Sequence, residues 1–339
     1  MSSAALSPAT EGRIRDLLVD RRERLATLQG GAPDNEFSYL LQEIDSALER
    51  MERGSYGACV VCEESVDDSD LLANPLAIYC LCKLSPERSR ELERDLALAW
   101  RVQAGLLPDP GMCVDRWTTA YRYIPAGAVS GDYCDLLAYP GVPGGLFFAL
   151  GDVSGKGIAA SLLMSQLHAA FRSIVPGGCD LAGVLARVDR LISAATIAAH
   201  YATIVFGCAD GAGGIEFVNA GHCRPLLVSA GGVRPFDSTH APIGLSVAGH
   251  TAAACDAHRV EMSEGDVLVL YTDGLVEAVN RNGEEYGEGR LASVLDNRRG
   301  QPPTVLIRSC LQDLDAFRGG EPYRDDLTVM AIQRASAAN

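Results

Sequence analysis

Residues 146–164, LFFALGDVSGKGIAASLLM, decide the fold, because they predict a buried strand, a tight turn and a helix in direct succession. The apolar run 146–150 predicts the strand, and Asp152 stands where that strand ends. A carboxylate between a rigid strand and a glycine turn is exposed enough to hold a cation and is firmly placed. The helix is predicted from residue 158, and its apolar face is expected to hold Leu162, Leu163 and Leu167.

The same arrangement of a strand followed by aspartate occurs elsewhere in the chain. Residues 266–274, DVLVLYTDG, predict a strand that leads to Asp273 and a following glycine. Two further acidic clusters, GDYCD at 131–135 and DDLT at 325–328, stand beside other predicted strands. Aspartate oxygens are hard ligands suited to Mg²⁺ or Mn²⁺, and a pair of such ions suits phosphoryl transfer to water. The pattern therefore predicts one shared metal site.

Composition narrows the class of protein. A chain of 339 residues is long enough for two domains, and a net charge of −15 argues against nucleic-acid binding, which needs a basic surface. We expect no signal peptide and no membrane span, because no apolar stretch approaches about 20 residues. The eleven cysteines show no secretory disulfide pattern. They are expected to be reduced thiols in a cytoplasmic protein.

Residues 108–339 predict an α+β domain. Strands mostly follow strands across glycine-rich turns, which favours antiparallel sheets with helices packed outside. Strands are predicted at 117–124, 145–151, 201–208, 214–219, 225–229, 266–272 and 327–333. Helices are predicted at 158–175, 180–198, 290–297 and 303–317.

Residues 1–54 predict a helical hairpin. Apolar residues recur at helical spacing over 11–29 and 37–51, and a glycine-containing turn separates the two segments. Each helix has a single apolar stripe, so the pair is expected to bury its faces mutually or against a second subunit.

Residues 55–85 carry two cysteine pairs, Cys59 with Cys62 and Cys80 with Cys82, separated by 17 residues. Such pairs are typical of a small zinc site. The run ALERMERGSYGACVVC and the later LLANPLAIYC resemble the zinc finger of the DksA/TraR family. In that family the last ligand would fall at Lys83, whereas here Cys82 comes one place early. Two readings stay open: Cys82 completes a zinc site, or the segment has lost its metal and acts as a spacer.

Residues 86–107 predict a linker helix, because serine followed by Pro86 and an acidic residue is a typical helix start. The helix is expected either to pack on the neighbouring domain or to pair with a second chain and carry a signal. Its predicted apolar stripe comprises Leu92, Leu96, Ala99, Val102 or Gln103, and Leu106.

Residues 95–335, which include the end of the linker, resemble the SpoIIE/RsbU branch of the metal-dependent (PPM) serine/threonine phosphatases. The resemblance rests on seven segments that occur in order: AWRVQAGLLP, YIPAGAVSGDYCD, LGDVSGKGIAASLLM, FVNAGH, PIGL, YTDGLVEAVNRNGEEYG and DDLTVMAI. It implies a two-layer β-sandwich flanked by helices, with a centre for two Mn²⁺ or Mg²⁺ ions that activates water. It also implies dephosphorylation of phosphoserine or phosphothreonine on an anti-anti-sigma (STAS) protein in a partner-switching pathway.

Site residues are carried over from this resemblance one by one. Asp132 matches the ligand aspartate of the GDY motif, Asp152 the bridging aspartate of GD, and Asp273 the aspartate of TDG. The backbone carbonyl of Val153 is expected to add a ligand. Asp325 matches the first aspartate of the DD pair, Asp326 stays open as the alternative ligand, and Asp135 could bind through water.

Several residues near these motifs have competing interpretations. Lys156 could attract the substrate phosphate or lie solvated in its loop, and His222 is read as structural before catalytic. Cys134 and Cys223 lack an adjacent base and are not expected to be nucleophiles. Ser130, where the family commonly has glycine, is tolerable unless its φ is positive.

We expect a homodimer formed through the N-terminal and linker helices. A second hypothesis is a transcription-associated binding protein that acts through the finger, with the phosphatase fold as a docking module. The short arms of the helical hairpin disfavour that hypothesis.

Overall fold

A computed structural model of the protein describes most of the chain, which divides into two compact units, residues 1–94 and 95–339. The division falls inside the predicted linker helix. The described residues are 8–29, 38–59, 65–66, 68–78, 86–139, 142–177, 180–195, 201–245 and 256–335.

The described part of the first unit includes the helices α1 (Pro8–Gln29) and α2 (Ser38–Glu52) and the short helix α3 (Asp68–Ala73). Arg22 pairs with Asp45, and Arg15 lies 4.0 Å from Glu52, so α1 and α2 run antiparallel, as the hairpin prediction requires. One apolar cluster joins the hairpin to the described part of the finger segment. Its buried members are Ile14, Leu18, Ile44, Ala47, Met51, Cys59, Val66 and Leu71.

Of the four cysteines proposed for zinc, only Cys59 is among the described residues, where it is buried in this core. Cys62, Cys80 and Cys82 lie outside the described residues. The zinc site therefore stays a prediction.

Helix α4 (Pro86–Ala104) begins at the predicted proline. Its packing differs from the predicted stripe: Gln103 is buried, whereas Val102 is 62% exposed and Leu92 and Ala99 also face solvent. The sequence left open whether Val102 or Gln103 points inward. In the structure the polar side chain, Gln103, is the buried one. Trp100, on the same side as Gln103, stacks on Tyr123 with ring centroids 6.2 Å apart.

The second unit is built on two antiparallel sheets. The six-stranded sheet has the order β1-β2-β11-β10-β7-β8, and the five-stranded sheet has the order β3-β4-β5-β6-β9. Every pairing between these strands is antiparallel. The strands of the first sheet are β1 (Cys113–Val114), β2 (Trp117–Ile124), β7 (Leu226–Ser229), β8 (Gly232–Pro235), β10 (Val267–Tyr271) and β11 (Leu327–Arg334). Those of the second are β3 (Asp132–Ala138), β4 (Leu146–Val153), β5 (Ala202–Ala209), β6 (Gly214–Ala220) and β9 (His258–Glu261).

The hydrophobic core forms three layers. Side chains such as Trp117, Phe148, Phe217, Leu268 and Met330 fill the space between the sheets. Helices α5 (Ile158–Ile174) and α6 (Leu181–Ala195) cover the outer face of the five-stranded sheet. Helices α8 (Glu288–Asp296) and α9 (Pro303–Arg318) cover the outer face of the six-stranded sheet. Within the described ranges, no helix combines the length and apolar character that crossing a bilayer requires.

The α+β prediction with antiparallel sheets is confirmed, and its errors have local causes. Strand β3 was missed because DYCDLLA carries aspartates at positions that face opposite sides of the sheet. The expectation that Leu162 lies on the buried face of α5 is wrong: Leu162 is exposed, whereas Ala160, Met164 and Leu167 face the sheet. Asp273 begins the one-turn helix α7 (Asp273–Val276) directly after β10.

Candidate metal centre

Pairing of adjacent strands brings the predicted site residues to one edge of the sandwich. In the β3–β4 ladder Asp132 lies directly opposite Asp152. Asp273 opens α7 just after β10, and Asp325 precedes the neighbouring strand β11. The two sheets therefore deliver their aspartates at the same end.

The Asp132 carboxylate is the most constrained group of this edge. It is 1% exposed, and its Oδ2 accepts hydrogen bonds from the hydroxyls of Thr272 and Thr328. Its Oδ1 is buried and has no hydrogen-bond partner. Buried polar atoms are almost always paired, so an orphaned carboxylate oxygen indicates a place for a cation.

The two threonines are functional candidates that the sequence reasoning missed. Thr272 follows β10 and Thr328 lies in β11, and a hydrogen bond of 2.9 Å from Thr328 N to Thr272 Oγ1 ties the pair together. Both stand next to an aspartate-bearing motif, in YTDG and DDLT, so the signal was present in the quoted segments. Groups that orient a metal ligand contribute to its affinity, and these hydroxyls fix which oxygen of Asp132 points into the site.

The electrostatics of the edge favour a bound cation. Burial, followed by the charge of Asp152, raises the pKa of Asp132 well above its ordinary value. Burial, followed by Asp273 and Asp325, raises the pKa of Asp152 to about 8. The pKa of Asp273 is also raised, by burial and then by Asp325. Carboxylates that crowd together in this way repel one another, and a bound divalent cation would relieve that repulsion.

The two aspartates of the DD pair have different surroundings. Asp326 is buried, and its oxygens accept backbone N–H groups from Ala126 at 2.7 Å and Gly131 at 2.8 Å. Asp325 is half-exposed, and its Oδ2 lies 2.8 Å from Lys156 Nζ. Asp326 thus holds the loop that carries Asp132, whereas Asp325 faces the opening. This difference supports Asp325 as the ligand, an assignment that stays a proposal.

Asp135, considered as a ligand through water, does not share this edge. It points to the opposite face of β3, where Arg172 of α5 forms two hydrogen bonds to its oxygens, at 2.9 and 2.6 Å. The Tyr133 hydroxyl and the Leu136 N–H complete its partners. Strand alternation separates it from Asp132.

Close backbone contacts explain the glycines of the motifs. A Cβ on Gly274 would lie 1.9 Å from the carbonyl oxygen of Asp326, so no side chain fits there. A Cβ on Gly131 would meet Val153 O at 3.1 Å and Asp152 Oδ1 at 3.4 Å. The Val153 carbonyl therefore lies beside the loop of Asp132, and its role as a ligand stays a prediction.

Gln103 of α4 holds the loop before Asp132. Its side-chain amide donates to the Ser130 carbonyl at 2.7 Å and accepts from the Ser130 N–H at 3.0 Å. Among the described residues other than glycine, positive φ occurs at Asp115 and not at Ser130, so serine is tolerated at that position. The Ser130 hydroxyl also accepts the Asp132 N–H at 3.1 Å.

His222 and Cys134 are buried and Cys223 is partly buried, and all three are held in neutral forms. Burial lowers the pKa of His222 to about 4, and its Nδ1 lies 2.8 Å from Thr203 Oγ1. Burial raises the pKa of Cys134 well above its ordinary value and that of Cys223 to about 12. Neutral thiols at this depth are poor nucleophiles, in agreement with the sequence interpretation.

The donor set has the chemistry that divalent cations require, although within the described ranges no three His, Cys, Asp or Glu side chains are placed so that they could hold an ion without rearrangement. The fit rests on the orphaned Asp132 Oδ1 and on the raised pKa values of Asp132, Asp152 and Asp273. Hard carboxylate oxygens at an open edge are the ligands that Mg²⁺ and Mn²⁺ prefer.

Comparison with known families matches residues 143–335 to the model of Stage II sporulation protein E (SpoIIE). The matched range includes Asp152, Asp273, Asp325 and Asp326 and begins after Asp132. The match lies in the predicted phosphatase region, and it does not favour the hypothesis of a transcription-associated binding protein.

Two curated relatives share the region. Protein IcfG of Synechocystis sp. is 24% identical over 263 residues, which cover 69% of this chain and 40% of IcfG. Phosphoserine phosphatase RsbU of Bacillus subtilis is 24% identical over 247 residues, which cover 72% of this chain and 71% of RsbU. The chain thus spans less than half the length of one of these relatives.

A solved structure has the same fold. The RsbU and RsbW domains of Rv1364c from Mycobacterium tuberculosis align with a TM-score of 0.57 and 29% identity, over 68% of this chain and 62% of that one. The sandwich fold that the sequence resemblance implied is confirmed by this similarity and by the two antiparallel sheets.

Proposed function

Because the chain belongs to the family of Stage II sporulation protein E (SpoIIE), we propose that it is a metal-dependent protein serine/threonine phosphatase. The Asp132 carboxylate carries this proposal, since its Oδ1 is buried without a partner opposite Asp152. The similarity to the phosphoserine phosphatase RsbU of Bacillus subtilis supports the same activity.

In this proposal Asp132, Asp152, Asp273 and Asp325 hold two Mn²⁺ or Mg²⁺ ions, with the Val153 carbonyl as a further ligand and Asp326 holding the loop of Asp132. When bound, the ions supply Lewis acidity that polarises the phosphoryl group and activates water.

The protein's own residues prepare the site for the ions. Thr272 and Thr328 fix Asp132 Oδ2 and leave Oδ1 for coordination. Asp326 and Gln103 hold the preceding loop from two sides, through Gly131 and Ser130. The site is thus preorganised on its buried side, which reduces the rearrangement needed on metal binding.

The experiment is manganese-dependent hydrolysis of an aryl phosphate and then of phosphorylated STAS proteins, by the full chain and by Asp273→Ala. Asp296→Ala, which removes a half-exposed carboxylate on α8, is the matched control. We expect activity that requires manganese, persists in the control and is lost in Asp273→Ala. Activity that survives Asp273→Ala or proceeds fully in a chelator would refute the proposal.

We further propose that the substrate is a phosphorylated STAS anti-anti-sigma protein in a partner-switching pathway of the cytoplasm. The likeness to RsbU supports this choice. A panel of phosphorylated STAS and unrelated phosphoproteins tests it, and equal turnover of both groups would contradict it.

Regulation through α4 is also part of the proposal. Gln103 links this helix to the loop of Asp132, so a shift of the helix changes the placement of that ligand. Gln103→Leu removes both hydrogen bonds and is expected to lower activity about 10- to 100-fold, because small misplacements of catalytic groups are costly. Manganese stoichiometry should stay unchanged. Wild-type activity in Gln103→Leu would exclude this coupling.

We propose that the chain forms a homodimer through its N-terminal and linker helices, and that Cys59, Cys62, Cys80 and Cys82 bind Zn²⁺. Exposed Leu98 and Val102 on α4 support the first statement. Light scattering of Leu98→Glu tests the dimer, with an unchanged mass as the contrary result. Metal analysis of the purified full chain tests the zinc site, with less than one zinc per ten chains as the contrary result.

A further inference from the structure

Lys156 places a positive charge beside the aspartates of the metal edge. It lies in the turn between β4 and α5, flanked by Gly155 and Gly157, whose φ angles are +97° and +74°. Its Nζ lies 2.8 Å from Asp325 Oδ2 and donates a hydrogen bond of 2.8 Å to the carbonyl oxygen of Arg324. The ammonium therefore already occupies a cation position on one candidate ligand.

The charge of Lys156 reaches beyond Asp325. It opposes the rise in pKa of Asp152 at the end of β4 and of Asp273 and Glu277 at the two ends of α7. The sequence left two readings of Lys156 open, and the ion pair with Asp325 and the hydrogen bond to the Arg324 carbonyl support the one in which the ammonium acts at the metal edge.

The side chain is nevertheless held loosely enough to leave. Lys156 is 63% exposed and Asp325 is 40% exposed, and ion pairs at such sites contribute only about 0.2–1 kcal/mol. A divalent cation with several carboxylate ligands binds far more strongly than this single pair.

The choice of lysine is informative in this chain. Two of the 29 basic residues are lysines, Lys83 and Lys156, and the others are arginines. Arginine would grip a carboxylate with two parallel hydrogen bonds, whereas an ammonium group makes a compact and exchangeable contact. A position that must release its carboxylate and take another anion suits lysine.

We propose that Lys156 is an exchangeable counter-cation: it holds Asp325 until a divalent metal ion takes that carboxylate, and it then binds the phosphate group of the substrate. The inference deepens the proposed function and rests on it for the identity of the substrate. In the metal-free site the ammonium offsets carboxylate repulsion. In the loaded site it lies at the open edge, where a phosphate dianion must enter.

The test uses the full chain with three substitutions. Lys156→Gln removes the charge and keeps most of the length, and Lys156→Arg keeps the charge but locks it on the carboxylate. Arg116→Gln is the control, since it removes one cation from an exposed ion pair with Glu264. Arg116 directly precedes β2, at the end of that strand away from the metal edge.

Calorimetric titration of Mn²⁺ into metal-free protein measures the first half of the proposal. Loss of a competing ion pair of this kind should tighten manganese binding by Lys156→Gln about two- to fivefold. Lys156→Arg should bind manganese more weakly than wild type, and Arg116→Gln should match wild type.

Broadening of the ³¹P resonance of inorganic phosphate by Mn²⁺-loaded protein measures the second half without requiring turnover. The phosphate affinity of Lys156→Gln should fall about tenfold, the value for one charge-assisted hydrogen bond. Wild-type manganese affinity or wild-type phosphate affinity in Lys156→Gln would each overturn the proposal.

Failure of the proposed function has a different signature. A wild-type chain that binds manganese and phosphate but hydrolyses no phosphoester would refute the phosphatase. The binding data on Lys156→Gln would still decide the role of Lys156.

Discussion

Two aspartates on strand β3, Asp132 and Asp135, are equally buried, at 1% and 0% exposure, and have opposite surroundings. Asp135 faces α5 and is fully partnered, with two hydrogen bonds from Arg172. Asp132 faces the space between the sheets, opposite another carboxylate, and one of its oxygens has no partner. A buried charge with a complete set of partners is part of the fold, whereas a buried charge without one indicates a ligand site.

The largest expected effect is the loss of activity in Asp132→Asn. The substitution removes a charged ligand and keeps the size of the side chain, so manganese-dependent phosphatase activity should fall about 1,000-fold. Because it also removes repulsion with Asp152, the thermal midpoint in chelator should stay level or rise. Steady-state kinetics measures the activity, and calorimetric melting measures the thermal midpoint. If Asp132→Asn kept a tenth of the wild-type activity, the conclusion that Asp132 is a metal ligand and Asp135 a structural residue would be contradicted.

The matched substitution Asp135→Asn should act on stability instead. It breaks the charge-assisted pair with Arg172 and should lower the free energy of unfolding by about 2–3 kcal/mol. Arg172 keeps some access to water, which limits the cost. Denaturant titration measures the loss, and activity per folded molecule should equal that of wild type. A loss of activity without a loss of stability would assign Asp135 to the site.

Thr328→Val sharpens the comparison by removing a partner of Asp132 and not its charge. Valine keeps the shape of threonine, so the effect reports the lost hydrogen bond to Oδ2. Manganese affinity should fall about tenfold, at the low end for groups that orient a metal ligand. Thr118→Val is a suitable control, since Thr118 lies near the far end of β2. Equal affinities in the two variants would show that the hydroxyl does not orient Asp132.

The protein should also show a pH dependence of stability. The pKa of Asp152 is raised to about 8, above the value of about 4 in an unfolded chain. The folded protein therefore binds this proton more tightly, and stability in chelator should decline as pH rises from about 4 to about 8. Asp152→Asn should flatten the profile, and so should saturating manganese. A thermal midpoint that rises across this range in chelator would contradict the assigned shift.

The sequence anticipated the sandwich and the convergence of its aspartates because both follow from strand order. Short apolar runs predicted β4, β5, β10 and β11 within two residues at each end. The sequence could not show which of Asp325 and Asp326 is the ligand, since adjacent aspartates differ only in the backbone groups that contact them in the folded protein.

Contacts between segments that are far apart in the chain could not be predicted from the sequence. The bond between Gln103 and Ser130 spans 27 residues, and the bond between Thr328 and Asp132 spans 196. A buried glutamine in an amphipathic helix is also hard to distinguish from its apolar neighbour Val102. Polar contacts of this kind are fixed by tertiary structure, and the periodicity of one helix does not reveal them.

The most direct test of the metal centre is a calorimetric titration of Mn²⁺ into the metal-free forms of wild type, Asp132→Asn and Asp135→Asn. If Asp132 is a ligand of a two-ion centre, we expect two bound ions per chain in wild type and in Asp135→Asn. Binding should be lost or strongly weakened in Asp132→Asn. Identical stoichiometry and affinity in all three proteins would contradict it, because Asp132 would then not be a ligand.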